Sequence, residues 1–202
     1  PNFPPTDPKR MWSWEKFLVT VGLGVSILGS YVWMVARAKG REFFGRLLGS
    51  EPWALGYWTV SAVLTAISWL WLLLYWVILA DPNVLVWGYG IDEFRDSIVF
   101  PALTVFLVSA LCWAPLTVYC HERQSWTLRI LITAVLWVTA LASVALFAMA
   151  AGTRVRPGAG WSTTECLLSL AGGMVAFHHV IWDACVWDAT WDYASASLYN
   201  TV

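Results

Sequence analysis

Three residues near the end of the last apolar run have the types and spacing of a ligand-binding site. His179 and Asp183 are four positions apart, so in a helix they lie on one face, where the carboxylate can hold the imidazole in one tautomer. Histidines oriented in this way often ligate metal centres. We expect His178 to point about one third of a turn away, toward Met174 and Trp182.

The chemistry that this pattern favours is the binding of a flat cofactor. A magnesium or iron macrocycle needs an axial nitrogen and an apolar wall, and this helix offers both. We therefore expect His178, His179, Asp183 and Trp182 to bind a cofactor, with chlorophyll or carotenoid as the pigment and haem as the alternative. Two other interpretations stay open: hydrogen bonding at the membrane interface, or a proton path or metal ion. The sequence has no HExxH motif, and we assign no metal-binding residues.

The third histidine joins this group through the expected topology. If five helices cross the membrane alternately, the third and the fifth end on the same face, opposite to the amino terminus. His121 lies at the end of the third helix. We therefore expect it to share a face with His178 and His179, and we include it among the cofactor-binding candidates.

The segments that carry these residues are strongly apolar. Of the 202 residues, 59% are hydrophobic and only 12% are charged, and the mean hydropathy is +0.62. A soluble domain would carry about 25% charged residues. The formal net charge of −1 gives no basic surface for nucleic acid. The predicted fold is all-α, a polytopic integral membrane helical bundle with about five transmembrane helices.

Five apolar runs are long enough to cross a bilayer, which takes about 20 residues in a helix. We predict an extramembrane segment over 1–16, a transmembrane domain over 17–187 and a tail over 188–202, with spans near 17–36, 53–80, 98–119, 130–152 and 166–182. The charged residues all flank these spans, which argues against a carrier built on buried carboxylates.

Two connections and one helix start have recognisable patterns. Residues 41–48 suit a short amphipathic helix on the membrane surface. Residues 81–96 place acidic side chains around the apolar segment 84–87 and a turn at 88–90, so we predict a folded cap there. Ser162 and Glu165 have the spacing of a capping box.

Tryptophans and small residues dominate the helix surfaces. Many of the 16 tryptophans, Trp58 among them, fall near predicted helix ends, as in the aromatic belt of membrane proteins. Ridges of small residues permit close helix packing. They comprise Gly22, Ser26 and Ser30, then Ala62 and Ala66, then Ser169, Gly172, Gly173 and Ala176. So many ridges in a small bundle indicate contacts with other subunits.

Motifs of catalysis are missing: the sequence has no GxSxG, no P-loop and no Gly-rich dinucleotide turn. We expect a non-catalytic accessory or structural subunit of a large membrane complex, such as a photosystem or antenna supercomplex. It would pack against other helices and bind pigment and lipid in the thylakoid membrane, with the mitochondrial inner membrane as the alternative. The alternative function is a small transporter, channel or haem-binding protein that uses His121, His178 and His179. The expected partners are membrane lipids and other membrane subunits.

Overall fold

The computed structural model describes residues 8–37, 52–80, 84–123, 125–155 and 160–187. Within these ranges, five helices are long and apolar enough to cross a membrane. They confirm the predicted all-α membrane bundle. The surface helix predicted over 41–48 lies outside the described residues.

Helices account for most of the described chain, and three of them contain π-helical segments. The helical elements are α1 (Pro8–Arg37), α2 (Pro52–Leu74) with π1 (Tyr75–Leu79), α3 (Ile91–Phe94) with π2 (Arg95–Val99), α4 (Phe100–Arg123), α5 (Trp126–Gly152), and α6 (Thr163–Phe177) with π3 (His178–Val186). In lipid, helices satisfy their own backbone hydrogen bonds, which explains why the apolar runs adopt them.

The order of packing leaves one side of the bundle open. Helix α4 packs between α1 and α5, and α5 packs against α6, which also contacts α2. Helix α1 contacts the second spanning helix most extensively through π1, at one end of the bundle. Beyond π1, a cleft lies between α1 and α2, and the ring of Trp69 narrows it beside Gly24.

The apolar core has two parts. One part contains Trp76, Leu103 and Leu146 and lies next to the end of the bundle where π1 contacts α1. The other part contains Met34, Trp113 and Ile132, near the opposite end, where α4 leads into α5. There Arg37 forms an ion pair of 2.9 Å with Glu122.

The small-residue ridges have different surroundings. On α6, a Cβ atom at Gly172 would lie 2.9 Å from Ala150 Cβ of α5, so glycine permits the close approach of these two helices. On α1, a Cβ atom at Gly22 would meet nothing within 4 Å. The glycine of α1 that closely approaches a neighbour is Gly24, where a Cβ would lie 2.7 Å from the ring of Trp69.

A small sheet caps one end of the bundle, within the segment predicted to fold. Strand β1 (Leu85–Val86) pairs antiparallel with β2 (Tyr89–Gly90) and with β3 (Thr153–Arg154). The hairpin turns at Trp87 and Gly88, one position earlier than expected. Both have positive φ, 51° and 88°, as a type I′ turn requires.

Glu165 fixes the connection between this cap and α6. Its carboxylate accepts hydrogen bonds from the backbone N–H of Ser162 at 2.6 Å and of Val155 at 2.8 Å. The Ser162 hydroxyl in turn accepts from the Glu165 N–H. The predicted capping box is therefore present, and α6 begins at Thr163.

Candidate functional site

A compact polar cluster lies inside the fifth spanning helix. His178, His179 and Asp183 belong to π3 and are 3%, 7% and 6% exposed. One donor atom from each side chain lies within 4.8 Å of the other two. We refer to these three residues as the His–Asp cluster.

The pairing of His179 with Asp183 confirms the spacing argument. Nδ1 of His179 lies 2.7 Å from Oδ2 of Asp183. The carboxylate accepts this hydrogen bond from the Nδ1–H group of the imidazole. In the neutral form of this ring, Nε2 of His179 carries the lone pair.

The expected direction of His178 was wrong, and the π-helical geometry is the reason. Nε2 of His178 lies 3.6 Å from Oδ1 of Asp183, so both histidines face the same carboxylate. In an α-helix, residues five apart differ in direction by about 140°. A π-helix bonds residue i to i+5, which stacks His178 and Asp183 on one face.

Asp183 is also deeper than the sequence indicated. We expected it to flank a span that ended at position 182, whereas the apolar helix continues from Thr163 to Val186. The buried carboxylate of Asp183 therefore lies inside the spanning segment. The expectation that these segments contain no charged residue was wrong here, because the buried carboxylate accepts hydrogen bonds from His179 and Trp58 within the helix bundle.

Three residues from other helices surround the cluster, and the sequence did not single them out as site residues. Trp58 Nε1 donates to Asp183 Oδ1 over 3.3 Å, although Trp58 was assigned to the aromatic belt. Ser61 Oγ lies 3.0 Å from His178 Nδ1. The ring of Phe106 packs edge-on against His179, with the ring centroids 4.9 Å apart.

A signal for two of these residues is present in α2. Ser61 and Thr65 are buried polar residues, and with Trp58 they repeat at intervals of three and four, which places them on one helical face. Thr65 Oγ1 lies 3.4 Å from the carbonyl oxygen of Met174. A polar stripe on an otherwise apolar helix thus indicates the face that meets α6 and π3.

The two remaining candidates from the sequence are Trp182 and His121. Trp182 is half-buried, and the aromatic contacts of the cluster that the described residues show come from Trp58 and Phe106. The backbone of His121 lies in the last turn of α4, while its side chain is outside what the structure describes. The proposed grouping of His121 with His178 and His179 therefore stays a prediction.

The two histidines form part of the wall of a cleft between α1 and α2. Its volume is about 420 Å³, and its lining is almost entirely apolar. Helix α1 contributes residues between Val21 and Tyr31, and α2 contributes residues between Trp58 and Leu70. Phe106, Leu107 and Ala110 of α4 form the remaining wall together with His178 and His179. We refer to this space as the α1–α2 cleft.

One nitrogen of the cluster is available for a ligand. His178 has a partner within 4 Å at each ring nitrogen, Ser61 at Nδ1 and Asp183 at Nε2. His179 uses Nδ1 for Asp183, and among the described residues its Nε2 makes no hydrogen bond. Nε2 of His179 can therefore accept a hydrogen bond or coordinate a metal centre from the cleft.

Comparisons with known proteins identified no similar protein. The chain matches no family model, and neither a curated protein nor a solved structure is significantly similar to it.

Proposed function

We propose that the protein is a non-catalytic subunit of a larger membrane complex and holds an apolar molecule from the lipid phase in the α1–α2 cleft. The cleft is the observation that carries the proposal. Its volume of about 420 Å³ falls within the range of ligand sites, about 300–1,000 Å³. An apolar wall with a few polar groups, among them Tyr31 and the two histidines, matches the usual composition of such sites, in which few polar groups orient a mostly apolar ligand.

The walls suit a long or flat hydrophobic molecule. Aliphatic and aromatic side chains of α1, α2 and α4 line the cleft, and the ring of Trp69 narrows it beside Gly24. A carotenoid or a lipid acyl chain needs only such walls. A chlorophyll or a haem also needs an axial nitrogen, and Nε2 of His179 is the nitrogen that the described cluster leaves available.

A subunit role is supported by the outer face of α1. Only 11% of this span is buried inside the chain, and Gly22 and Ser26 face outward. Small residues permit close approach of a helix from a neighbouring subunit. Within this proposal, a bound chlorophyll or carotenoid would indicate a photosynthetic complex of the thylakoid membrane. A bound haem would indicate a complex of the mitochondrial inner membrane.

Blocking the cleft tests the proposal directly. We expect Ala66→Phe, which adds a ring to the cleft wall, to lower the amount of co-purified apolar molecule several-fold. The measurement is an absorption spectrum of the natively purified protein, followed by chromatography of its organic extract. A chlorophyll or carotenoid spectrum, a Soret band or a lipid species identifies the class.

The matched control is Ala145→Phe, which places the same ring on an exposed position of α5 outside the cleft. This variant should retain the bound molecule. Equal recovery of the molecule from both variants, or extracts of the native protein that contain no more than bulk lipid, would overturn the proposal.

A further inference from the structure

We infer that the His–Asp cluster binds one divalent transition-metal ion, such as Zn²⁺, within the membrane span. The ligands are Nε2 of His178, Nδ1 of His179 and the carboxylate of Asp183. Two imidazoles and one carboxylate form a common ligand set for first-row divalent metals. This inference goes beyond the apolar ligand of the cleft and does not depend on it.

The distances between the donor atoms suit a metal centre. Bonds of 2.0–2.2 Å in a tetrahedral site separate neighbouring ligand atoms by about 3.3 Å. The two measured separations are 2.7 Å from His179 Nδ1 to Asp183 Oδ2 and 3.6 Å from His178 Nε2 to Asp183 Oδ1. These separations bracket the tetrahedral value, and one ligand atom from each of the three residues lies within 4.8 Å of the other two. Side-chain rotation can therefore direct all three ligands to one ion.

Two neighbouring side chains orient these ligands. With Nε2 of His178 on the metal, Nδ1 carries the proton and donates to Ser61 Oγ at 3.0 Å. Trp58 Nε1 donates to Asp183 Oδ1 at 3.3 Å. Metal sites typically contain such partners, which fix the ring of a histidine or the plane of a carboxylate.

Charge is the second argument for a cation. A carboxylate inside a membrane span is costly unless a positive charge compensates it. Among the residues that the structure describes, only His178 and His179 lie within ion-pair distance of Asp183. A bound divalent ion gives the carboxylate a positive partner and leaves both imidazoles neutral, the form in which they ligate metals. The site then has a net charge of +1, which an anionic group at the open coordination position would neutralise.

The position of the cluster leaves one side of the metal open. His178 and His179 both line the α1–α2 cleft, so the fourth coordination position faces the cleft. Three protein ligands and one open position are the arrangement of metal sites that bind an exchangeable ligand. Water or the polar group of a molecule in the cleft completes the coordination.

The experiment uses the full chain in detergent micelles, treated with a chelator and then titrated with Zn²⁺ alone. We expect one tightly bound zinc per chain, measured by elemental analysis after removal of free metal, and a rise in melting temperature with zinc concentration. Asp183→Asn and His178→Gln should each abolish the bound zinc. Ser61→Ala keeps every ligand but removes an orienting partner, and should weaken binding by about 10-fold or more.

Controls separate a folded site from accidental binding. Cys185→Ser removes a metal-binding side chain two positions from Asp183, and this variant should bind zinc like the native chain. Circular dichroism of the chelated variants checks that they remain helical, and Ser61→Ala provides the test if a ligand variant does not fold.

Three outcomes would overturn the inference: no stoichiometric zinc in the folded native chain, equal zinc in the ligand variants, or unchanged affinity in Ser61→Ala. A pigment or haem coordinated by His179 Nε2 would also overturn it, because Nδ1 would then remain bound to Asp183. That last result would support the proposed function of the cleft, so the two proposals fail separately.

Discussion

Nδ1 of His179 lies 2.7 Å from Oδ2 of Asp183 inside the fifth spanning helix. The same carboxylate accepts a hydrogen bond from Trp58 of α2, so it connects two helices as well as two turns of one helix. Removing a buried acceptor that has two donors lowers the free energy of unfolding, because both donors lose their partner in an apolar environment. We therefore expect the cluster to contribute to stability in addition to any role in binding.

Replacing the carboxylate with an apolar group tests this contribution. We expect Asp183→Leu to lower the free energy of unfolding by about 1–3 kcal/mol, because the N–H groups of His179 and Trp58 lose their acceptor. Unfolding in mixed detergent micelles measures the change. The control is Glu122→Gln, which breaks the exposed ion pair with Arg37 and should cost less than about 1 kcal/mol. Equal losses in the two variants would contradict the prediction.

Two adjacent glycines of α6 provide a matched test of helix packing. A Cβ at Gly172 would lie 2.9 Å from atoms of Ala150 and Phe147, whereas one at Gly173 would make ordinary contact at 3.6 Å. We expect Gly172→Ala to be less stable than Gly173→Ala by about 1 kcal/mol or more, through steric crowding against α5. Gly173→Ala should equal or exceed the native stability, because alanine favours the helix. Thermal unfolding of both variants measures this difference. Equal stability would contradict the prediction and show that α5 and α6 can move apart without loss of stability.

Two glycines of α1 distinguish packing within the chain from contacts with another subunit. Gly24→Ile would force a side chain against Trp69 and should lower the free energy of unfolding of the isolated chain by about 1–3 kcal/mol. A Cβ at Gly22 would meet nothing within 4 Å, so Gly22→Ile should leave that stability unchanged. If the outer face of α1 contacts another subunit, Gly22→Ile should instead reduce the recovery of the native complex on non-denaturing gels. Unchanged recovery would place this face against lipid.

Composition and local pattern determined the class of this protein. Runs of about 20 apolar residues can form all of their backbone hydrogen bonds in lipid only as helices. The five spans and the helical bundle therefore followed from the sequence. The capping box at Ser162 and the contact between His179 and Asp183 also followed, because residues three or four apart in one helix meet whatever the rest of the fold is.

The site itself required the tertiary structure. The change from α to π geometry after Phe177 turns His178 toward Asp183. A sequence pattern based on 3.6 residues per turn cannot predict this contact. Trp58 and Ser61 reach the cluster from more than 100 positions away, so local spacing says nothing about their contact with it. The α1–α2 cleft arises because α1 packs mainly on α4 and meets the second spanning helix most extensively at π1. The order in which helices pack depends on the shapes of their surfaces across the whole bundle. The sequence of a single apolar run cannot predict that order.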